Sequence, residues 1–429
     1  MKLPYNLRSN QQEIIDTIEK GLQSKNHIVI EAPTGSGKTF TSLASSLPFV
    51  INKSYKIIYC VRTNSQQEQV IKELKAFKDS GNNFSVVAIQ GRQSMCPQQK
   101  DDDELAKSNW SEKSKICKSL KLQSKLGEAG CPYYRKLLRP TNSLIDRWSS
   151  EIYSAEEFTL NAESENLCPY ELNKLLLKKA QIVIVPYVYF FEDFIRKYLL
   201  GWMDTTIDKI ITIVDEAHNL PDWSREAASE SLSVDSLHRA SQESDKFGLL
   251  LGDGSPPTLF LDLVESALKS LGEYHISEGD DEGLLPSHIV SLDSEVPTFE
   301  TEMMSLGKMT LYRLKQQSSD LSKMGQLIRQ TLLEKGKRPR SYLGSVGDFL
   351  CRWLDSIESH TIRLVGNKPL RLEKVCLDPR VMTSFLDETA GVVMMSGTLS
   401  PLGMFRDLVG LKPESKLERF GSIFLKKID

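Results

Sequence analysis

The segment from residue 27 to residue 43 holds the residues of this chain that are best suited to bind phosphate groups. It reads HIVIEAPTGSGKTFTSL: an apolar strand, a loop of small residues and the start of a helix. This is the order of a P-loop, in which glycines turn backbone N–H groups toward phosphate oxygens, a lysine reaches the β and γ phosphates, and a hydroxyl binds Mg²⁺. Ala32 replaces the usual first glycine. The residues predicted to bind nucleotide are Thr34, Gly35, Ser36, Gly37, Lys38 and Thr39.

Two carboxylates follow the apolar run IITIV at residues 210–214. A carboxylate at the carboxyl end of a strand can hold the Mg²⁺ that bridges the phosphates, and its neighbour can orient the attacking water. Asp215 and Glu216 occupy these two positions. Together with a P-loop on the same sheet they predict ATP hydrolysis, with Lys38 as a third catalytic residue and Thr39 and Asp215 as magnesium ligands.

Four of the seven cysteines lie in one polar stretch, and two of them begin the repeated tripeptide Cys-Pro-Tyr. No two of the four have the spacing of about two to four residues that is typical of structural zinc sites. Widely spaced cysteines fit a four-thiolate iron–sulfur cluster better, because each loop can approach the cluster from a different side. Spacing alone leaves iron–sulfur, zinc and unrelated cysteines open. The four are Cys96, Cys117, Cys131 and Cys168, whereas Cys60, Cys351 and Cys376 are most simply core residues.

Six short apolar runs rich in β-branched residues are available to position these groups. They lie at residues 27–32, 56–61, 84–89, 180–185, 209–214 and 391–396 and are separated by helical patterns. Such runs are typical of buried parallel strands. We therefore predict an α/β fold, with a parallel sheet that has helices on both faces and is interrupted twice in sequence.

The two interruptions differ in composition. The first contains the four cysteines and many charged residues, and the second has the apolar spacing of helices. The apolar residues at helical spacing are Leu261, Val264, Leu268 and Leu271, and then Leu321, Met324, Leu327 and Leu332. We therefore predict a mostly α-helical second insertion.

Composition indicates a folded protein of more than one domain. The chain has 429 residues, 40% of them hydrophobic, and a formal net charge of -3, so any site for a polyanion must be local. The sequence shows neither a signal peptide nor an apolar run of about 18 residues, and the odd cysteine count argues against a disulfide framework. We expect a cytoplasmic monomer without a membrane segment.

Four motifs resemble those of superfamily 2 helicases. Asp215-Glu216-Ala217-His218 is similar to motif II, and MMSGTLSP at 394–401 is similar to motif III. VRTNSQQEQV at 61–70 resembles motif Ia, and Arg8 and Gln11 match the R-x-x-Q pattern of the adenine-reading Q motif. The resemblance implies catalytic, nucleotide-sensing or DNA-phosphate roles for His218, Ser396, Thr398, Arg62 and Thr63.

A P-loop, a DEAH motif and four cysteines inserted between motifs Ia and II resemble the XPD family of iron–sulfur helicases, whose relatives include FANCJ, RTEL and DinG. VRTNSQQEQVIKEL, CPYE and VDEAHNLPD favour the archaeal XPD branch. The resemblance implies a RecA-like sheet, Mg-ATP, 5′-to-3′ movement on single-stranded DNA, a role in DNA repair, and a [4Fe–4S] cluster on Cys96, Cys117, Cys131 and Cys168. It implies helicase domain 1 at 1–92, 173–221 and 388–429, an iron–sulfur insertion at 93–172 and an arch domain at 222–387.

Aromatic and basic residues stand beside the cysteines, a mixture that suits base stacking and phosphate binding. Tyr134, Arg135 and Tyr170 are the DNA contacts predicted here. The alternative is that the tyrosines only pack the small domain.

The 429 residues contain no Q-x-x-G-R-x-x-R motif of the kind that the second RecA-like domain of these helicases contributes. We expect that this domain is missing or supplied elsewhere, and that the chain alone binds ATP weakly, binds DNA and unwinds it poorly, because losing an arginine finger costs about 10³- to 10⁵-fold in rate. Other repair proteins are candidate partners. A DEAH-type RNA helicase and a non-catalytic module that binds DNA or a partner are the alternative functions.

Overall fold

The computed structural model of the chain describes residues 1–8, 10–100, 102–286, 296–335, 337–355 and 359–421. The chain divides into two compact units. Unit 1 comprises 1–110, 117–224 and 379–429, and unit 2 comprises 111–116 and 225–378. The cysteine insertion therefore groups with the α/β part of the chain, apart from residues 111–116. The end of the last predicted segment, residues 422–429, lies outside the described residues.

The described residues form eleven strands. In chain order they are β1 (Ile28–Glu31), β2 (Lys56–Val61), β3 (Val86–Ala88), β4 (Ile182–Pro186), β5 (Ile210–Val214), β6 (Glu230–Ser233), β7 (Glu282–Leu285), β8 (Thr361–Asn367), β9 (Leu370–Cys376), β10 (Gly391–Ser396) and β11 (Lys416–Arg419).

The same residues form twenty α-helices and four short 3₁₀ helices. The α-helices are α1 (Gln11–Gln23), α2 (Lys38–Ile51), α3 (Asn64–Asp79), α4 (Arg92–Met95), α5 (Asp103–Lys107), α6 (Trp110–Lys125), α7 (Pro132–Arg135), α8 (Asn142–Ser150), α9 (Ala155–Ser164), α10 (Pro169–Leu177), α11 (Tyr187–Phe191), α12 (Asp193–Met203), α13 (Leu220–Ala227), α14 (Val234–Phe247), α15 (Pro257–His275), α16 (Phe299–Gly307), α17 (Leu311–Glu334), α18 (Tyr342–Asp355), α19 (Arg380–Thr383) and α20 (Leu402–Leu408). The 3₁₀ helices are Pro97–Lys100, Ile207–Lys209, Ala217–Asn219 and Ser384–Glu388.

Seven strands of unit 1 form a wholly parallel sheet in the order β11-β1-β10-β5-β2-β4-β3. The sheet contains all six strands that the apolar runs predicted, and the α/β prediction is confirmed. The seventh strand, β11, was not predicted. Its sequence, KLER, is mostly charged, because an edge strand does not need the apolar run of a buried one.

Both faces of this sheet are covered, as the continuous apolar runs predicted. Ile28 and Ile30 of β1 point to one face and pack with α1, α2 and α3. Val29 points to the other face, where it shares a core with α10, α11 and α12. Cys168 and Trp148 of the cysteine insertion belong to that second core, which explains why the insertion groups with unit 1.

Unit 2 contains helices α14 to α18 and an antiparallel sheet in the order β6-β9-β8-β7. The helices were predicted, but the sheet was not. Its two long strands, TIRLVGN and LRLEKVC, carry charged residues at buried or partly buried positions and lack a clear alternation. The unit is therefore less purely helical than the sequence indicated.

The predicted apolar face of α15 is confirmed, since its four leucine and valine positions are all buried. In α17 the prediction is wrong at one position: Leu327 is 59% exposed, and Ile328 is buried in its place. At 3.6 residues per turn, Leu321, Met324 and Ile328 share a face that Leu327 leaves. None of the helices in the described part of the chain combines the length and apolarity that a bilayer crossing requires.

Candidate functional site

The loop between β1 and α2 has the backbone of a phosphate-binding turn. Gly35 and Gly37 have φ angles of 81° and 85°, a left-handed conformation that glycine adopts without strain. Gly37 is the N-cap of α2, so the free N–H groups of the first helical turn face the loop. The Lys38 ammonium donates to the carbonyl of Ala32 at 3.1 Å. The Ser36 hydroxyl is buried and has no hydrogen-bond partner among the described residues, as expected of a group that faces a ligand.

Arg8 and Gln11 lie against this loop. The Gln11 amide donates to the Ser36 carbonyl at 3.0 Å, and the Arg8 guanidinium donates to the Gly35 carbonyl at 3.3 Å. The backbone N–H of Arg8 donates to the Gln11 amide oxygen at 2.9 Å, which orients the amide. Arg8 and Gln11 therefore support the P-loop backbone. The contact of these two residues with adenine stays a prediction.

The end of β5 and the end of β10 meet at the carboxyl edge of the sheet, because β5 and β10 are neighbouring parallel strands. The Ser396 hydroxyl donates to Glu216 Oε2 at 3.1 Å, and His218 Nδ1 lies 2.6 Å from the same hydroxyl. Thr398 approaches through its backbone N–H, 3.4 Å from Ser396 Oγ. The structure thus brings motifs II and III, far apart in sequence, into one hydrogen-bonded group.

Asp215 is the buried member of this edge, with 8% of its surface exposed. Burial raises the pKa of its carboxyl group, and the nearby Glu216 carboxylate adds to this; the Glu216 backbone N–H and the Lys38 ammonium oppose it. A raised carboxyl pKa in a cleft is a common mark of a functional site. A bound Mg²⁺ would supply the positive charge that favours the ionised form.

Two tyrosines that sequence reasoning missed hold Asp215 in place. The Tyr59 hydroxyl donates to Asp215 Oδ2 at 3.4 Å and lies within hydrogen-bonding reach of Thr39, the other predicted magnesium ligand. The Tyr187 hydroxyl donates to the Asp215 carbonyl at 2.7 Å. Both are buried, and nothing in their local sequence marks them, because a tyrosine in an apolar run also reads as a core residue.

Two of the four grouped cysteines stand at the start of a helix. Cys131 precedes α7 and Cys168 precedes α10, and a proline is the first residue of each helix. The Cys168 backbone N–H donates to the Tyr133 carbonyl at 3.0 Å, which joins the two Cys-Pro-Tyr segments. The backbone N–H groups of Tyr133 and Tyr134 lower the pKa of the Cys131 thiol, and that of Glu171 lowers the pKa of the Cys168 thiol, but burial outweighs them.

The four thiols are near enough to interact electrostatically, and none forms a disulfide. Burial raises the pKa of each thiol, to about 11 for Cys96. Across the described residues, no three histidine, cysteine or acidic side chains converge as a metal-binding group. The structure therefore gathers the four cysteines without arranging them as a ligand set.

The predicted DNA contacts are placed in different environments. Arg62 is exposed and its guanidinium donates to the Asn219 side chain, whereas the Thr63 hydroxyl caps α3 by accepting from the Gln66 backbone N–H. Arg135 is exposed next to the half-buried Tyr134. Tyr170 is only 6% exposed, and Arg92 lies 4.6 Å from its ring centroid, which favours the packing role that the sequence left open.

Comparisons with known proteins agree with this arrangement. The DEAD_2 family model matches residues 59–237, and the model of the helical and beta-bridge domain matches residues 293–424. The chain is 26% identical over 255 residues to the Saccharomyces cerevisiae protein named general transcription and DNA repair factor IIH helicase subunit XPD/RAD3, covering 56% of this chain and 32% of that protein.

These two family-model matches and the XPD relatives support an XPD-family superfamily 2 helicase.

Two further relatives extend the comparison. ATP-dependent DNA helicase XPD of Sulfolobus acidocaldarius is 26% identical over 239 residues, which is 56% of this chain and 37% of that protein. ATP-dependent DNA helicase CHL1 of Vanderwaltozyma polyspora is 23% identical over 429 residues, which is 94% of this chain and 49% of that protein. The chain thus spans less than half the length of these curated relatives.

Solved structures of the XPD family share the fold. The structure titled XPD_Helicase has a TM-score of 0.61 at 21% identity and covers 97% of this chain and 62% of that one. The structure titled Truncated XPD has a TM-score of 0.58 at 20% identity and covers 96% of this chain and 100% of that one. The XPD-family fold is thus retained at low sequence identity.

Proposed function

We propose that this chain is the part of an ATP-dependent DNA helicase that binds Mg-ATP and single-stranded DNA and moves 5′ to 3′. The observation that carries the proposal is the hydrogen-bonded group of Glu216, His218 and Ser396, which lies on the same sheet edge as the P-loop lysine. A nucleotide bound to the P-loop places its terminal phosphate at that edge. A glycine turn with a merely structural role would not require the Glu216, His218 and Ser396 group beside it.

Each residue then has a defined task in the hydrolysis of ATP to ADP and phosphate. Lys38 and the N–H groups at the start of α2 bind the phosphates, and Thr39 and Asp215 would hold Mg²⁺, which would neutralise charge on the transferred phosphoryl group. Glu216 orients the attacking water and accepts its proton. Ser396 and His218 fix the Glu216 side chain through hydrogen bonds, so that the carboxylate does not have to reorganise during the reaction.

The proposed path of single-stranded DNA passes the end of β2 and the cysteine insertion. Arg62 and Thr63 lie between β2 and α3, where an exposed cation and a helix N-terminus suit backbone phosphates. Tyr134 and Arg135 are accessible enough to stack on a base and to bind a phosphate. Tyr170 enters this proposal as a support for the surface, because its ring is buried.

We further propose that Cys96, Cys117, Cys131 and Cys168 hold a [4Fe–4S] cluster. Their mutual proximity, the absence of disulfides and the nearby backbone N–H groups that favour the thiolate form fit thiolate ligation. A bound cluster would supply bonds that fasten separate segments of the insertion to one another. The chain's own part is to present the thiols from four separate segments, one of which, at Cys168, belongs to the second core of unit 1.

Unwinding by these 429 residues alone is expected to be weak. The hydrolysis of ATP in this superfamily uses arginines from a second RecA-like domain, and the motif that carries them does not occur in the 429 residues. Such arginines contribute about 10³- to 10⁵-fold in rate. Binding of Mg-ATP and of single-stranded DNA needs only the residues of unit 1, so both should be measurable.

Replacing Glu216 tests the hydrolytic proposal. Glu216→Gln keeps the size and the hydrogen-bond acceptor but removes the base, so we expect hydrolysis to fall by about 10²- to 10⁴-fold while binding of a fluorescent ATP analogue persists. Glu226→Gln, at an exposed position of α13, is the matched control and should leave both unchanged. The assay uses single-stranded DNA and RNA in parallel and partial duplexes with 5′ or 3′ tails. Stimulation by RNA alone, or hydrolysis unaffected by Glu216→Gln, would contradict the proposal.

A further inference from the structure

Glu31, the last residue of β1, is a buried carboxylate for which the hydrolytic scheme above has no role. Its Oε2 atom accepts hydrogen bonds from the backbone N–H groups of Leu399, at 2.8 Å, and Ser400, at 2.5 Å. Its Oε1 atom pairs with the Arg419 guanidinium at 2.8 Å. Only 6% of Glu31 is exposed, whereas Arg419 is 71% exposed. The two ends of the carboxylate therefore serve two different partners, one interior and one at the surface.

The position of Glu31 in the sheet explains these contacts. β1 lies between β10 and β11, and Glu31 is in register with Ser396 on one side and with Arg419 on the other. The pairing of β1 and β10 extends one residue beyond β1, because the Ala32 N–H donates to the Ser396 carbonyl at 3.0 Å. Gly397 also lies beside the P-loop, since an added Cβ atom would be in ordinary van der Waals contact with the Thr34 hydroxyl, at 3.8 Å.

Burial by itself would raise the pKa of Glu31, but hydrogen bonds from Ser400 and Leu399 and the Arg419 guanidinium outweigh burial and hold the pKa below its usual value. The side chain is thus a carboxylate at neutral pH. An ionised acceptor that takes two adjacent backbone N–H groups binds them more strongly than a neutral acceptor does.

We infer that Glu31 is a positioning residue that fastens the segment 397–400 to the start of the P-loop and thereby keeps the Ser396 hydroxyl on Glu216. This inference rests on the proposed hydrolysis of ATP and adds a residue to it. Ser396 is the branch point: its carbonyl is tied to the P-loop and its hydroxyl to Glu216 and His218. If the segment 397–400 is released from Glu31, Ser396 is no longer held on its carboxyl-terminal side. The Ser396 hydroxyl then fixes the Glu216 side chain less firmly.

The inference predicts different effects of Glu31 on nucleotide binding and on the hydrolytic step. In the described part of the chain, the Glu31 carboxylate bonds to Leu399, Ser400 and Arg419 and not to the P-loop lysine or hydroxyls, so its loss should spare nucleotide binding. Orientation of the water by Glu216 matters in the transition state, so its loss should lower kcat. A residue that only stabilised the fold would not produce this division.

The experiment compares three variants with the wild-type chain. Glu31→Ala removes both ends of the carboxylate, Glu31→Gln keeps one acceptor, and Arg419→Ala removes the surface partner while leaving both backbone contacts. For each we would measure the affinity for a fluorescent ATP analogue, kcat and KM for hydrolysis with single-stranded DNA, the melting temperature, and hydrogen exchange at the Leu399 and Ser400 amides.

We expect kcat to fall about tenfold in Glu31→Ala and less in Glu31→Gln, with nucleotide affinity within about twofold of wild type in both. Arg419→Ala should stay within about twofold in both properties. Exchange at the Leu399 and Ser400 amides should accelerate in Glu31→Ala and stay slow in Arg419→Ala.

Two results would overturn the inference: unchanged protection of those amides in Glu31→Ala, or nucleotide affinity that declines in proportion to kcat. A wild-type chain that binds neither the ATP analogue nor single-stranded DNA would instead refute the proposed function, and the exchange measurement would still decide whether Glu31 holds the segment. If Glu31→Ala does not fold, Glu31→Gln gives the same comparison with a smaller effect.

Discussion

The nucleotide site and the cysteine region belong to the same unit but are built in different ways. At the nucleotide site, residues from the ends of three parallel strands contact one another directly, and Ser396 joins Glu216 at 3.1 Å. In the cysteine region, two thiols come from helix starts, one from the end of α4 and one from within α6, and they approach one another without converging as a metal-binding group, as far as the described residues go. A site on strand ends inherits its geometry from the sheet. A site on loops depends much more on the ligand that joins them.

The difference has an energetic side. Hydrogen bonds along the parallel strands hold the nucleotide site whether or not a ligand is bound, and each contributes about 1 kcal/mol. The cysteine region shares a core with the sheet through residues such as Trp148, and the contacts between its cysteine-bearing segments include the Cys131 N–H to the Leu120 carbonyl and the Cys168 N–H to the Tyr133 carbonyl. We therefore expect the nucleotide site to tolerate changes in the cysteine region better than the cysteine region tolerates loss of its own ligands.

The largest effect should follow from removing the P-loop lysine. Lys38→Ala deletes the cation that reaches the β and γ phosphates, and we expect hydrolysis to fall by about 10²- to 10³-fold. Iron content should be unchanged, because Lys38 has no contact with the cysteines. Lys53→Ala, just beyond the end of the same helix, is the matched control. Loss of iron in Lys38→Ala would show that the two regions are not independent.

The next effect concerns the cysteine region itself. In Cys168→Ser we expect iron to fall from about four atoms per chain to nearly none, with a loss of about 3 kcal/mol in the free energy of unfolding. Nucleotide affinity should remain within about twofold of wild type. The measurements are metal and sulfide analysis of protein purified without oxygen, denaturant unfolding and nucleotide titration, with Cys351→Ser as control. Zinc in place of iron, or parallel loss of nucleotide binding, would break the comparison.

The smallest effect should be a gain in stability. Burial raises the pKa of Asp215, so the folded protein binds this proton more tightly than the unfolded chain does, and stability declines as pH rises through the interval between the two values. At pH 7 without Mg²⁺, Asp215→Asn should therefore raise the free energy of unfolding by about 1 kcal/mol. The gain should shrink as the pH is lowered, because the wild-type carboxyl group then becomes neutral. A gain that is constant across the pH range in urea unfolding would contradict this reasoning.

The sequence predicted the nucleotide site better than it predicted unit 2. Six strand positions followed from continuous apolar runs. Strands that are buried on both faces carry apolar residues at every position, so their pattern is easy to recognise. The antiparallel sheet of unit 2 was missed, because its charged residues interrupt the apolar pattern. For the same reason the edge strand KLER gave no strand signal.

Residue chemistry alone determined the P-loop, the paired carboxylates and the grouping of the cysteines, because the spacing of these residues along the chain reflects their chemistry. The tertiary structure alone decided that Tyr59 holds Asp215, that Tyr170 is buried and that Glu31 reaches Leu399 and Ser400. These contacts join residues more than a hundred positions apart, or depend on which face of an element a side chain occupies. Such pairings arise from the order of strands in the sheet, and strand order leaves no mark in the local sequence.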